Sequence, residues 1–199
     1  MSKLETITID TPSGSNTMQI GSTNTATINL GVSGDTVNIP AGVTIANAGT
    51  ATGFGGANTP AFLARLSSTT QSIADDTYTK IQFNTEVYDT ASAYDNSSNY
   101  RFTVPSGQGG KYFIYAAARM ASSSAALTFN IRLNGSNAGF SSVKAVSGEL
   151  QTILLNYGKD LSAGDYLEVF MRQQSGGSLD ISGDSNDMTT YFGGFKLVE

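Results

Sequence analysis

Residues 127–135 read Leu-Thr-Phe-Asn-Ile-Arg-Leu-Asn-Gly, and this stretch decides the fold. Apolar and polar side chains alternate strictly from Leu127 to Leu133, which is the period of a β-strand with one buried face. The strand ends in Asn134-Gly135, a dipeptide whose residues tolerate the positive φ angles of a tight hairpin turn. The stretch therefore predicts a β-hairpin and, with it, an antiparallel sheet.

Similar turn-bounded stretches lie on both sides of this hairpin, and none of them has a convincing helical period. Leu167, Val169 and Met171 form one face of a strand that follows the turn Leu161–Asp165. Other predicted strands cover residues 62–66, 80–83, 101–104, 111–119, 138–146, 149–156 and 191–197. The total of about nine or ten short strands is typical of a sandwich or jelly roll.

Residues 112–115, Tyr-Phe-Ile-Tyr, are apolar or aromatic on both faces of their predicted strand. A strand in a two-layer sandwich needs only one buried face, so the other face requires cover. A neighbouring subunit would supply that cover in an oligomer; the alternative is a loop of the same chain. We predict a trimer interface formed by aromatic and apolar side chains, namely Tyr112, Ile114, Tyr115, Phe170 and Phe195.

The first sixty residues differ in composition, since Phe54 is their only aromatic residue and only four of them are charged. A pattern of Thr, apolar, polar, apolar and turn residue recurs at Thr6–Asp10, Thr17–Gly21, Thr27–Gly31 and Thr36–Pro40. This pattern predicts short strands joined by turns. The predicted apolar core of the segment consists of Ile7, Ile9, Met18, Ile20, Ile28, Leu30, Val37 and Ile39.

The repeat segment cannot form a core by itself. Ordering ten residues costs about 10–20 kcal/mol of backbone entropy. Two buried Ile-sized side chains in each repeat return only about 3–6 kcal/mol. We therefore expect three chains to meet on a common axis, with residues 1–52 as a trimeric β-repeat stalk, residues 53–60 as a Gly-rich hinge and residues 61–199 as a knob. The alternative is a disordered linker.

Composition and charge exclude several function classes. The net charge of −5 and the scattered cations argue against nucleic acid and anionic membranes. The residues Met1–Glu5 lack the apolar region of a signal peptide, and no window approaches the ~18 apolar residues of a membrane span. The chain has no His and no Cys, which excludes nucleophile systems and zinc sites built from them. Nothing in the sequence pairs Glu86, Asp89 or Asp165 as glycosidase carboxylates, so we expect no enzyme activity.

Two polar loops are candidate sites. Residues 180–187 contain three carboxylates that would offer oxygens to Ca²⁺, although their spacing is not that of an EF-hand, and a solvated loop is the simpler interpretation. These weak metal candidates are Asp180, Asp184 and Asp187; no other metal and no cofactor is predicted. A second region combines Tyr with Asn, which suits recognition of a glycan or protein. Its candidate residues are Tyr88, Tyr94, Asn96 and Tyr100.

The order of motifs in the last 139 residues resembles the globular head of complement component 1, subcomponent q, in the tumour-necrosis-factor-like jelly-roll superfamily. Phe83, Asp89 and Tyr94 match the first spacing of that family. Phe102, Gly110-Lys111-Tyr112 and Leu161–Asp165 match its next three motifs, and Phe192–Leu197 matches its closing aromatic-x-Gly-Phe-x-Leu. The resemblance implies a ten-stranded jelly roll that forms compact trimers at the end of a trimeric stem.

The stem has no collagen repeat, and a Thr/Ile/Asn/Gly stem with a small head resembles a bacteriophage fibre. We therefore expect a non-enzymatic virion protein that is assembled in the bacterial cytoplasm. It would be a homotrimeric tail or head fibre that docks to other virion proteins near Leu4-Glu5-Thr6 and presents its knob to a host-surface glycan or protein. The alternatives are a capsid decoration protein of the same build and a bacterial adhesin or ligand of the complement-head-like family.

Overall fold

A computed structural model describes residues 27–30, 33–46, 58–67, 69–120, 125–183 and 188–197. The chain divides into two compact units, Met1–Ala51 and Thr52–Glu199. The described residues contain no helix, and consequently no helix able to cross a membrane. The prediction of an all-β domain is confirmed for the second unit.

The described part of the second unit contains thirteen strands, more than the sequence predicted, because several have only two to four residues. Their bounds are β1 Ala61–Arg65, β2 Thr70–Ile73, β3 Thr79–Lys80, β4 Thr85–Asp89, β5 Tyr94–Asp95, β6 Arg101–Thr103, β7 Gly110–Met120, β8 Ala126–Leu133, β9 Ser136–Lys144, β10 Gln151–Leu161, β11 Tyr166–Gln174, β12 Leu179–Ser182 and β13 Tyr191–Lys196.

These strands form two antiparallel sheets. The first sheet has the order β2-β12-β7-β13-β1-β4, and β10 pairs with the whole length of β7. The second has the order β5-β6-β11-β8-β9, and β3 pairs with β11. Strands distant in sequence are neighbours in both sheets, as in β1 beside β13 and β6 beside β11, so the topology is that of a jelly roll rather than of a simple meander.

Aromatic rings from both sheets meet in the core. Phe62 of β1 stacks on Phe102 of β6 with ring centroids 4.5 Å apart, and the edge of Phe192 meets Phe62 at 5.0 Å. The predicted alternation along β8 and β11 is confirmed, because Leu127, Phe129, Ile131, Leu167, Val169 and Met171 are all fully buried. Each sheet thus directs one face of its strands into a shared core.

The predicted hairpin turn is confirmed. β8 and β9 are joined by Asn134 and Gly135, whose φ angles are 51° and 78°. The Asn134 side chain donates to Asp165 Oδ1 at 2.8 Å and accepts a hydrogen bond from the Tyr166 amide at 2.9 Å. Asp165 also accepts from the Ser162 amide, and these bonds, the one from Asn134 foremost, lower the pKa of its carboxyl. Asp165 is therefore a turn residue, as the sequence suggested.

The described residues of the first unit, 27–30 and 33–46, contain turns but no strand. Their apolar side chains are exposed, including the predicted core residues Ile28, Leu30, Val37 and Ile39. The other predicted core residues, Ile7, Ile9, Met18 and Ile20, lie outside the described residues, as do residues 53–57 of the predicted hinge. The trimeric stalk stays a prediction.

Two buried tyrosines make the knob sensitive to alkaline pH. The hydroxyl of Tyr94 donates to the Phe83 carbonyl, and that of Tyr112 to the Gln108 carbonyl. Burial raises the pKa of Tyr112 to about 12 and that of Tyr94 further. Because the folded state favours the neutral phenol, both side chains stabilise the fold fully below pH ~10, and that contribution is lost as the pH rises through the folded pKa.

We predict that Tyr94→Phe makes the loss of stability between pH ~10 and ~12 shallower than in the wild type, because one phenol no longer ionises on unfolding. Urea unfolding at a series of pH values measures this. Tyr100→Phe, at a partly buried ring outside the core, is the matched control. Identical pH dependence in Tyr94→Phe and the wild type would contradict the prediction.

Candidate subunit interface

The outer face of the first sheet carries a cluster of aromatic side chains. Along β7, Tyr112 and Ile114 are buried in the core, so the intervening Phe113 and Tyr115 point outward. Tyr191 and Phe195 of β13 share that outer face, and Tyr88 of β4 completes it. We call Tyr88, Phe113, Tyr115, Tyr191 and Phe195 the aromatic face.

The five rings contact one another in sequence across three strands. Phe113 lies 5.8 Å from Phe195 and 6.3 Å from Tyr115, and Tyr115 lies 6.1 Å from Tyr191, all between ring centroids. The hydroxyl oxygens of Tyr115 and Tyr88 are 3.4 Å apart. Burial, and then the hydrogen bond with Tyr88, raise the pKa of Tyr115. These contacts hold the rings in place within the single chain.

Gly193 makes this arrangement possible. Its register partner on β7 is Tyr115, and a Cβ atom added at Gly193 would lie 2.6 Å from the Tyr115 ring. The absence of a side chain at Gly193 lets the Tyr115 ring lie across β13 towards Tyr88 on β4. Leu63 of β1 pairs with both Gly193 and Tyr88 and is buried. The absence of a side chain at Gly193 thus determines where the Tyr115 ring lies on the outer surface of the sheet.

The aromatic face remains partly open to solvent in the single chain. Phe113 is 37 % exposed and Tyr88 is 44 % exposed. Interface cores are enriched in Tyr and Phe, because each ring buries a large area at small cost in side-chain entropy. Clustered, pre-positioned and uncovered rings are the composition expected of a contact between protein subunits.

A second apolar surface lies at the edge of the sandwich where β9 leads into β10. Val146 and Leu150 of the connecting loop are 59 % and 56 % exposed, and Leu154 of β10 is 57 % exposed. We call these three residues the edge strip. Since β10 pairs only with β7 in its sheet, the strip lies at the border of the first sheet. Leu154 pairs with Ala117, which pairs with Tyr191, so the edge strip borders the aromatic face on the outer side of the same sheet.

The predicted interface residues divide into three groups. Tyr115 and Phe195 lie on the aromatic face. The assignment of Tyr112 and Ile114 was wrong, because both are buried inside the single chain. Phe170 lies on β11 of the other sheet, away from the aromatic face, and its place in an interface stays a prediction. The sequence shows that the β7 strand is apolar on both sides, but only the structure shows which side faces inward.

Sequence reasoning missed Phe113 and Tyr191 as interface candidates. Both stood in strands already recognised as aromatic, at residues 112–115 and 191–197. The sequence did not show which alternate residues of these strands face inward, and a shift of one residue exchanges the two faces of a strand. The alternation of Tyr191 with the fully buried Phe192 was the available signal.

The predicted recognition residues do not form one exposed site. Tyr94 is only 5 % exposed and stacks on Phe62 in the core, so its assignment to the surface was wrong. Tyr88 belongs to the aromatic face. Asn96 and Tyr100 are partly buried beside Asp95, whose carboxylate accepts hydrogen bonds from the loop that follows it. These bonds, chiefly from the Ser98 amide, lower the pKa of Asp95.

The other acidic candidates accept hydrogen bonds in a turn, lie exposed on a strand or fall outside the described residues. Asp89 accepts hydrogen bonds from the amides of Ala91 and Tyr94, as expected of a turn. Asp180 is exposed on β12, and Asp184 and Asp187 are outside the described residues. Where the structure does describe the chain, no three acidic side chains cluster as metal ligands.

Comparison with solved structures shows the same fold in two animal proteins. The globular domain of zebrafish complement 1qA superposes with a TM-score of 0.51 at 14 % identity, covering 70 % of this chain and 98 % of that domain. The Eiger tumour necrosis factor of S. frugiperda gives a TM-score of 0.50 at 15 % identity, covering 69 % of this chain and 91 % of that one. The second unit has this jelly-roll fold.

At such identities the likeness concerns the fold alone. No family model and no curated protein sequence matches the chain. The predicted resemblance to complement heads and tumour-necrosis-factor-like domains is therefore confirmed at the level of the jelly roll. No residue of the aromatic face is inferred from these two structures.

We predict that Gly193→Ala destabilises the knob by about 1–3 kcal/mol, because the new methyl overlaps the Tyr115 ring. Adding Tyr115→Ala should remove most of that cost, which a double-mutant cycle in chemical unfolding measures. Gly158→Ala is the matched control, since a Cβ there meets nothing within 4 Å. Additive effects of the two substitutions would contradict the proposed role of Gly193.

Proposed function

We propose that this protein is a non-enzymatic, homotrimeric structural protein of a bacteriophage virion, a fibre or spike whose C-terminal knob is presented for adhesion to the host surface. The observation that carries the proposal is the aromatic face, a cluster of interlocked, partly exposed rings on one sheet. A chain that presents such a surface is stabilised by association with further copies of itself.

The edge strip borders the aromatic face, since Leu154, Ala117 and Tyr191 form one row, and a ring of subunits is an assembly that covers both. When the aromatic face of one subunit packs on the edge strip of the next, each subunit uses both surfaces, and the contacts continue until the ring closes. The resemblance noted from the sequence motifs implies closure at three subunits.

The exposed side chains of the first unit support the same assembly. Ile28, Leu30, Val37 and Ile39 follow the repeat period, and each is at least 44 % exposed in the single chain. Three copies of the repeat would bury these side chains against one another and compensate for the entropy of ordering the segment. A trimeric knob and a trimeric stalk therefore support each other, since either one raises the effective concentration of the other.

Placement on a virion is supported by composition. Fibrous repeats rich in Thr, Asn and Gly combined with a small acidic head suit an external appendage that has to stay soluble. The net charge of −5 disfavours packaging of nucleic acid as a role. The N-terminal end of the stalk would hold the particle, leaving the knob to contact the host.

Sedimentation velocity tests the proposed ring of three subunits. We expect a trimer at about 10 µM, and monomers for Phe113→Asp on the aromatic face and for Val146→Asp/Leu150→Asp on the edge strip. Mixing these two variants should give dimers and no trimers, because only one intact pair of surfaces remains. Ser142→Asp, an exposed position on β9, is the control and should stay trimeric. A monomeric wild type, or an edge variant that still forms trimers, would contradict the proposed assembly.

Electron microscopy of particles tests the placement. Gold-labelled antibodies against a tag after residue 199 should mark the distal ends of fibres on phage particles, whereas a tag before residue 1 should stay inaccessible. Labels spread evenly over the capsid would instead indicate a decoration protein. Absence of the chain from purified particles would rule out the virion role.

A further inference from the structure

The outer face of the second sheet concentrates cations in an otherwise acidic chain. On β11, Glu168 has two register partners, Arg101 of β6 and Arg132 of β8, so the three side chains form one row across the sheet. Lys80 of β3 lies opposite Phe170, two residues farther along β11. Three cations thus surround one carboxylate in a protein whose net charge is −5.

The nearby carboxylates are already engaged. Glu168 accepts from Lys80 Nζ at 2.5 Å and is 7 % exposed. Asp76 accepts from Arg172, and Asp95 directs its oxygens to its own loop. In the described part of the chain, therefore, no carboxylate pairs with the guanidinium of Arg101 or of Arg132.

Aromatic rings hold these two guanidinium groups in place. The Cζ of Arg132 lies 3.9 Å from the ring centroid of Phe170, and the Cζ of Arg101 lies 4.4 Å from that of Tyr166. Stacking on a ring restrains the guanidinium plane, whose terminal N–H groups match the two oxygens of a carboxylate in spacing and direction. The structure thus holds two cationic donors ready for an anion.

The immediate surroundings of Arg132 contain unsatisfied polar atoms. Its Nε and the Oδ1 of Asn130, two residues away on the same strand, are both buried without a hydrogen-bond partner. Asn130 is 1 % exposed, and its register partners are Phe170 and Phe140. Buried polar atoms without partners are uncommon, and here the described chain offers the Nε–H of Arg132 no acceptor.

We propose that this face binds a carboxylated polysaccharide, with Arg101 and Arg132 each contacting one carboxylate. Arg132 stacks on Phe170 and Arg101 on Tyr166, four residues apart along β11, which separates the two guanidinium groups along the strand by about 13 Å, too far for one carboxylate to bridge. A polymer with repeated acidic sugars supplies a carboxylate to each. Phe140, 71 % exposed beside Asn130, offers an open ring for the apolar face of a sugar.

The position on the sheet favours a polysaccharide over an acidic peptide. Peptides commonly bind by adding a strand to a sheet edge or by placing a helix in an apolar groove. Arg101, Arg132 and Phe170 lie on β6, β8 and β11, which have neighbours on both sides, and only Phe140 lies on the terminal strand β9. The two arginines therefore contact a ligand through side chains alone, as suits a ligand of hydroxyl and carboxylate groups.

The proposal specifies the ligand of the adhesive role proposed above and rests on that role. Fluorescence anisotropy of the full chain with labelled polygalacturonate oligomers at about 20 mM NaCl tests it. We expect Arg132→Gln and Arg101→Gln each to weaken binding about tenfold, since each loses a charge-assisted contact. Lys159→Gln removes one charge from β10 and should change the affinity less than about twofold.

Further probes separate the ligand classes. Carboxyl-reduced polygalacturonate should not bind, and polyglutamate of equal charge should bind at least about tenfold more weakly, because it lacks sugar rings for Phe140. Arg132→Lys should remain weaker than wild type, because Lys keeps the charge but not the planar fork. Where thermal unfolding shows that Arg132→Gln is misfolded, Arg101→Gln decides.

Three results would overturn the proposal: no binding of polygalacturonate by the wild type, unchanged binding in the Arg101→Gln/Arg132→Gln variant, or equal affinity for polyglutamate. Sedimentation of the same samples distinguishes this failure from failure of the proposed assembly. Trimers that do not bind the polymer refute the ligand alone, whereas monomers refute the assembly.

Discussion

The alternation of side chains along β7 is the constraint on which the rest of the knob depends. This strand pairs with β10 over its whole length and with β13 over Tyr112–Ala117. Its inward residues fill the core, so its outward residues, Phe113 and Tyr115, are fixed on the opposite surface. Because strand pairing and core burial set the register together, the aromatic face follows from the same packing that stabilises the fold.

The sequence predicts those features that local chemistry determines. The hairpin at Asn134-Gly135 and the turn at Asp165 follow from residues that tolerate a positive φ or cap a turn. The inward face of β8 follows from strict alternation of apolar and polar residues. Where alternation is absent, as at residues 112–115, both faces are apolar, and only long-range pairing decides which is buried. Tyr94 was misassigned for a related reason, since a phenol suits either a surface or a core that offers its hydroxyl a carbonyl.

In the first unit, a clear sequence pattern does not correspond to a buried core in the described residues. Its repeat is clear in the sequence, yet the described residues 33–46 expose Val37, Ile39, Val43 and Ile45. The physical reason lies in the ratio of apolar area to ordered backbone, since two apolar side chains in each repeat do not compensate for the entropy of about ten residues. We expect a pattern of this kind to form strands where other chains complete the core.

Aromatic rings occur on the outer faces of both sheets, but their neighbours give them different chemistry. On the first sheet the rings contact other rings, so covering them with a further apolar surface removes little polar area from water. On the second sheet, the guanidinium groups of Arg132 and Arg101 lie over the rings of Phe170 and Tyr166. An apolar contact there would remove water from these guanidinium groups without supplying a counter-charge. The same physical cost would disfavour an apolar interface at Phe170 and underlies the proposal of an anionic ligand at that face. Composition alone does not distinguish the two surfaces; the placement of the cations does.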